Sequence, residues 1–228
     1  MSRRNARSKK HVPVFSRRSL PGSAPGTLIV DPEAPRPVIR IMSFGPDKVV
    51  EKDIDDLRTV RTLFHEWPVT WIDVAGLGDL SVITSLGEIF NIHRLALEDV
   101  INVHQRPKVE LYKGYCYIVL RSVVDAEEHR SEQISIFLGR NFVLSFRERS
   151  GDHFDPVIQR VREGTGRMRT AGPDHLTYAL IDAVIDSYFP ALERFGESIE
   201  GIEDAIIAEP HNALVSRIHD LRQGLLIL

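Results

Sequence analysis

Cysteine is almost missing from this chain: Cys116 is the only one in 228 residues. A single thiol excludes an intrachain disulfide framework and a cysteine-built zinc site, and it fits a reducing compartment. Long apolar runs are lacking too. No stretch approaches the roughly 20 residues that a membrane-spanning helix needs. The N-terminus is charged but has no apolar core of a signal peptide, so the chain as it stands reads as soluble. Aromatic residues are modest at 7%. GxxxxGK[ST], GxGxxG opening a helix, HExxH and GxSxG are all absent, which removes the usual motif support for nucleotide-binding, zincin and serine-hydrolase functions. The histidines are scattered. Only His211 and His219 share a helix, and their spacing of eight puts them two turns apart, too far to chelate one ion together.

The charge is unevenly spread. The first thirty residues hold seven Lys or Arg and no acid, leaving 22 bases against 32 acids in the rest. Residues 1–26 mix Arg, Lys, Ser, Pro and Gly with few apolar residues, so they are expected to be a disordered basic arm. Such an arm suits anionic lipid or nucleic acid, but its ordinary role is a solvated tail, and no nucleic-acid partner is expected.

Order is expected from Thr27. Val38–Phe44 and Val69–Val74 read as strands, with a short strand at Val49-Val50 between them. Asp53 is a candidate cap for a short helix through Phe64, and Asp79 for one reaching about Phe90. Leu95–Val100 suits one or two helical turns. Pro107 forces Arg106 into extended backbone, and strands follow at 108–112, 115–124, 133–138 and 142–146, with a charged loop over 125–132. After Ser150 the pattern is helical throughout. Asp155-Pro156 opens one helix, and Asp174 is expected to cap a long stretch to about Ala208, kinked at Pro190.

Eight acids and one base, Arg194, lie between Asp182 and Glu209. Pro210 breaks the stretch and Asn212 is a candidate cap for the next helix. There, Leu214, Ile218, Leu221, Leu225 and Leu228 follow a 4-3-4-3 spacing, a heptad seam. The seam ends on four apolar residues without a capping signal, so the chain is expected to stop inside a longer helix.

The candidate ion ligands are carboxylates. Glu98 and Asp99 are adjacent, so on a helix they point in different directions and serve different ions or faces. Asp182 and Asp186 are four apart on one helical face and could share a hydrated divalent cation. Few, loosely arranged carboxylates make a weak Mg²⁺ site, as sensing an abundant ion requires. The plainer alternative is helix capping and a solvated acidic face. Arg106 and Lys108 could bind phosphate, or more simply pair with acids beside the strand.

Residues 97–121, LEDVINVHQRPKVELYKGYCYIVLR, resemble the hallmark of the CorA family of magnesium and cobalt transport proteins. TWIDVAG (70–76), EQISIFLGRNFVLSF (132–146), GDHFDPVIQRVREG (151–164) and LIDAVIDSYFPALE (180–193) are similar to the same family, so the resemblance runs from Thr27 to Leu228. It implies the cytoplasmic domain of a homopentameric channel in the inner or plasma membrane, and no enzyme. The implied fold is an α/β/α sandwich with a mixed central sheet over 27–172, then an acidic helical hairpin and the start of a stalk helix over 173–228. The family's Gly-Met-Asn pore motif is not in this sequence, so contact with the membrane is expected only through helices beyond Leu228, and the chain alone is expected to be monomeric or weakly associated.

The resemblance also implies roles for residues. Asp99 matches the carboxylate of an intersubunit Mg²⁺ site whose partner is an Asp of the neighbouring stalk helix, beyond Leu228. Glu98 and Asp182 match a second, weaker site, with Asp186 a lesser candidate. His104, Arg106 and Pro107 belong to the scaffold, and Leu214, Ile218, Leu221 and Leu225 to the seam. The implied mechanism is feedback, with intersubunit Mg²⁺, or Co²⁺ in its place, holding a closed state. Two other functions compete: the cytoplasmic domain of a zinc transporter of the same superfamily, and a metal-dependent hydrolase, which needs Glu98, Asp99 and Asp182 to converge within one subunit.

Overall fold

A computed structural model describes Gly22 and residues 24–125, 130–209 and 211–226. Most of the basic arm and the seam position Leu228 lie outside these residues.

Seven strands form one mixed sheet in the order β2-β1-β3-β7-β6-β5-β4. They are β1 (Val38–Phe44), β2 (Val49–Asp53), β3 (Val69–Ala75), β4 (Lys108–Tyr112), β5 (Tyr115–Asp125), β6 (Arg130–Gly139) and β7 (Phe142–Arg147). Only β3 and β7 pair in parallel; every other neighbour is antiparallel. This pair lies at the centre and is buried along its whole length on both faces. That is why apolar residues point to both faces in VTWIDVA and FVLSFR, and why the polar Asp73, Ser145 and Arg147 among them are buried too.

Helices cover both faces. On one, α1 (Arg58–Glu66), α2 (Leu80–Ile89) and α3 (Arg94–Ile101) pack Val60, Ile83, Leu86, Leu97 and Val100 against Ile72, Val74, Tyr117 and Phe137. On the other, α4 (Asp155–Glu163) and α5 (Pro173–Asp186) pack Val157, Val161, Leu176 and Leu180 against Trp71, Ile118, Ile136 and Val143. The sandwich continues into α6 (Tyr188–Ala208), which packs against α7 (Ala213–Leu225).

Several local expectations are corrected. β2 runs on through Asp53, which pairs with Arg40, so Asp53 caps nothing; Asp56 Oδ1 instead accepts from Arg58 N at 2.9 Å where α1 begins. Asp79 does cap α2, accepting from the backbone N–H groups of Ser81 and Val82. Asp174 lies inside the first turn of α5, with Gly172 at the cap position; there its charge complements the positive helix end. The long stretch runs from Pro173 to Ala208 and is kinked as expected: α5 and α6 are separated by Ser187 alone, whose backbone stays helical at φ −64 and ψ −17, three residues before Pro190. Proline lacks an N–H and its ring crowds the carbonyl four residues back, so the kink falls just upstream of it. Asn212 stands at the cap position of α7 without a side-chain cap bond. The loop expected over 125–132 is shorter, because β6 already begins at Arg130.

Candidate functional site

α3 and the turn after it present the sequence-derived candidates at one end of the sheet. Ala96, Leu97, Val100 and Ile101 bury one face of α3, which leaves Glu98 and Asp99 half-buried at its margin. The adjacent carboxylates diverge, as helical geometry requires. Glu98 Oε2 accepts from Gly26 N at 2.7 Å, so it tethers the backbone 72 residues upstream to α3. Asp99 Oδ2 accepts from Lys108 Nζ at 2.6 Å.

Lys108 opens β4, the edge strand, and reaches Glu110 Oε1 as well, at 2.7 Å. The spacing of two puts Lys108 and Glu110 on the same side of the strand, facing α3. Tyr112 Oη donates to Glu110 Oε2 at 3.1 Å. Burial works against the Lys108 charge, but its bonds to Asp99 and Glu110 outweigh that and raise its pKa above the ordinary lysine value. The Lys108 hydrogen bond, against a smaller cost of burial, holds Glu110 below the usual carboxylate range.

The HQRPK turn is tied to the sheet through Gln133. Gln105 N donates to Gln133 Oε1 at 2.9 Å, and Gln133 Nε2 donates to the Asp99 carbonyl at 2.8 Å. Arg121 reaches the Val103 carbonyl at 2.8 Å. His104 is half-buried, whereas Arg106 and Pro107 are exposed. Of the two bases considered for phosphate, Lys108 is committed to carboxylates. Gln133 was missed by sequence reasoning. The available signal was a polar residue inside the apolar EQISIF strand, which needs partners when buried.

Asp182 is not near this group. It is half-buried on α5, and Asp186 is exposed at the end of the same helix. Since α3 and α5 lie on opposite faces of the sheet, Glu98, Asp99 and Asp182 do not converge within one chain. Among the described residues, no group of three or more His, Cys, Asp or Glu is placed to hold a metal ion. The donors that are present, single carboxylates at a surface, fit a mostly hydrated hard cation rather than a closed metal cage. A hydrolase site built from these three residues in one subunit is thereby removed.

In the seam, Leu214 is buried, Leu221 is half-buried, and Ile218 and Leu225 are 45% and 43% exposed. α7 thus spends only part of its apolar stripe on this chain. No helix among the described residues is long and apolar enough to cross a membrane.

Comparison with known proteins agrees with this architecture. The cobalt/magnesium transport protein CorA of Thermotoga maritima is 37% identical over 211 residues, which is 91% of this chain and 60% of that protein. This chain therefore spans less than two thirds of that relative's length. The fold matches the soluble domain of CorA from Methanocaldococcus jannaschii with a TM-score of 0.63 at 18% identity, covering 83% of this chain and 72% of the other. The cytoplasmic domain of ZntB from Vibrio parahaemolyticus gives 0.61 at 14% identity, with the same coverage of 83% and 72%. The family model for the CorA-like Mg²⁺ transporter protein matches residues 68–228. With most of its length matched in this way, the chain belongs to the CorA-like Mg²⁺ transporter family.

Proposed function

We propose that this chain is the cytoplasmic, Mg²⁺-sensing part of a homopentameric divalent-cation channel, and that Glu98, Asp99 and Asp182 act between subunits rather than within one. The observation that carries this reading is the placement of α3 and α5 on opposite faces of the sheet. Carboxylates on opposite faces of one protomer act together when a neighbour brings its own face alongside, as a closed ring of copies does. Family membership supports Mg²⁺, with Co²⁺ as a further transported ion.

Bound Mg²⁺ supplies positive charge between carboxylates that otherwise repel across a subunit boundary. Asp99 presents its carboxylate from the rigid end of α3, held by Gln133 through the Asp99 carbonyl. Glu98 and Asp182 form a second, looser pair of faces. With the ion present, the closed arrangement is favoured; without it, like charges push subunits apart and the pore is freed to open. In thermodynamic terms, a ligand favours one of two states of an interface.

The test is Mg²⁺ influx into liposomes carrying the full-length protein, followed with an encapsulated Mg²⁺ dye at varied internal Mg²⁺. Asp99→Asn should keep influx high at internal concentrations that shut down the wild type. Unchanged inhibition in Asp99→Asn and in Glu98→Gln/Asp182→Asn would defeat the proposal. Transport of Zn²⁺ with no Mg²⁺ flux would place the chain with zinc transporters instead.

A further inference from the structure

Asp99 already holds a cation, and it belongs to the protein. Lys108 Nζ is 2.6 Å from Asp99 Oδ2 and 2.7 Å from Glu110 Oε1, and lies 5.6 Å from the ring centre of Tyr117. The lysine and aspartate side chains are only 27% and 25% exposed. The arrangement is built rather than incidental. The β4–β5 register sets Lys108 opposite Val119 and Glu110 opposite the fully buried Tyr117. Tyr112 fixes Glu110, and Gln133 fixes the backbone of Asp99. Charge-assisted bonds this short, with an aromatic face beneath the ammonium, are stronger than a loose surface pair.

Resting on the reading that Asp99 is an Mg²⁺ ligand, we propose that Lys108 is a tethered competitor for the Asp99 carboxylate, and that Mg²⁺ reaches this oxygen by displacing Nζ onto Glu110. Glu110 gives the displaced ammonium a partner, so exchange leaves no uncompensated charge. The ion meets only the fraction of molecules in which Nζ has left Asp99, and apparent affinity falls by that fraction. A resident monovalent cation also discriminates by valence: a divalent ion gains about twice the Coulomb energy from the carboxylate and displaces the ammonium more readily than Na⁺ or K⁺ does. Lys108 thus sets the concentration at which the sensor responds.

The experiment is an Mg²⁺ titration of the full-length protein, which supplies the neighbouring carboxylate, at constant ionic strength, read by thermal melting and by the side-chain ¹⁵N signals of lysine. Lys108→Gln should lower the Mg²⁺ midpoint about tenfold, the effect of removing one positive charge near the ion in a water-like dielectric. Lys108→Arg, which keeps the charge, should stay near the wild-type midpoint, and Asp99→Asn should leave only the weaker response of the Glu98 and Asp182 faces. In the wild type the Lys108 ammonium signal should shift with the melting midpoint. If Asp99→Asn leaves only that weaker response but Lys108→Gln leaves the midpoint unchanged, the competitor role is lost while Asp99 remains a ligand. If Asp99→Asn responds like the wild type, both ideas fall, as they do if neither the wild type nor Lys108→Gln responds at all. Should Lys108→Gln fail to fold, the wild-type spectrum decides: a Lys108 signal unmoved at saturating Mg²⁺ overturns the proposal.

Discussion

Asp73 and Arg147 form an ion pair in the middle of the molecule, at 2.6 Å and with both side chains almost fully buried. Ser145 Oγ donates to Asp73 Oδ1 and itself accepts from Trp71 Nε1, while Arg147 also donates to the Gly151 carbonyl and stacks on Phe154. Every charge is thus answered by several bonds. Arg147→Met should therefore cost about 3 kcal/mol in chemical denaturation, because Asp73 would stay buried without its counter-ion. Glu132 is a different case. Burial raises its pKa, and the nearby His153, whose Nδ1 is 3.9 Å away, only partly opposes that. A carboxyl with a raised folded-state pKa contributes its full stability below its unfolded value and loses it as pH rises through the folded value. Glu132→Gln should therefore be more stable than the wild type at pH 8, by about 1 kcal/mol. The difference should shrink as pH falls below the folded pKa; equal stabilities at high pH would contradict the sign.

Among the elements, α7 separates packing inside the chain from apolar surface left over. Leu214 is 3% exposed, so Leu214→Ala should lose about 2–4 kcal/mol of stability by creating a cavity. Ile218 and Leu225 lie on the same heptad stripe but are far more exposed, so Ile218→Glu should change the melting of the isolated chain by no more than about 0.5 kcal/mol. Equal losses from the two substitutions would show that the seam is consumed internally. The joint between α5 and α6 is a second informative element. Ser187 Oγ accepts from Val123 N at 3.4 Å and Tyr188 Oη donates to the Arg121 carbonyl at 2.9 Å, tying the helix kink to the end of β5. Gly76, at φ +106, and Gly78 let the backbone of residues 34–36 approach so closely that a Cβ at Gly78 would lie 2.2 Å from the Ala34 carbonyl oxygen. The GLG turn is therefore a docking point for the incoming N-terminal segment as well as a turn.

For the whole molecule, the sheet acts as a partition. It holds α3 with Glu98 and Asp99 on one side and α5 with Asp182 on the other. Cooperation between them then requires more than one copy. Saturating Mg²⁺ should raise the weight-average sedimentation coefficient of this chain, and Glu98→Gln/Asp182→Asn should weaken that rise. A purely monomeric boundary at all Mg²⁺ concentrations would count against ion-bridged association.

Much of the architecture was legible in the order of residues. The strands at 69–74 and 142–146, the Lys113-Gly114 hairpin, the Asp79 cap and the change to helices after Ser150 each depend on local backbone preference, and the structure keeps them. The misplaced caps at Asp53 and Asp174 depend instead on how far the neighbouring strand or helix extends, which is set by pairing and packing elsewhere. The divergence of Glu98 and Asp99 also followed from sequence alone, because 100° per residue separates any two helical neighbours. What holds each carboxylate did not. Gly26 lies 72 residues from Glu98, and Gln133 lies 34 from Asp99. Such contacts are closed by the crossing of the chain over the sheet, and no local pattern encodes them. The sequence by itself determined which residues form strands, which helix carries the adjacent acids and which family the chain resembles. Only the tertiary structure decided that Lys108 occupies Asp99 and that Asp182 lies across the sheet. The physical reason is that periodicity orients a side chain within its own element, while its partners are chosen by how the elements stack.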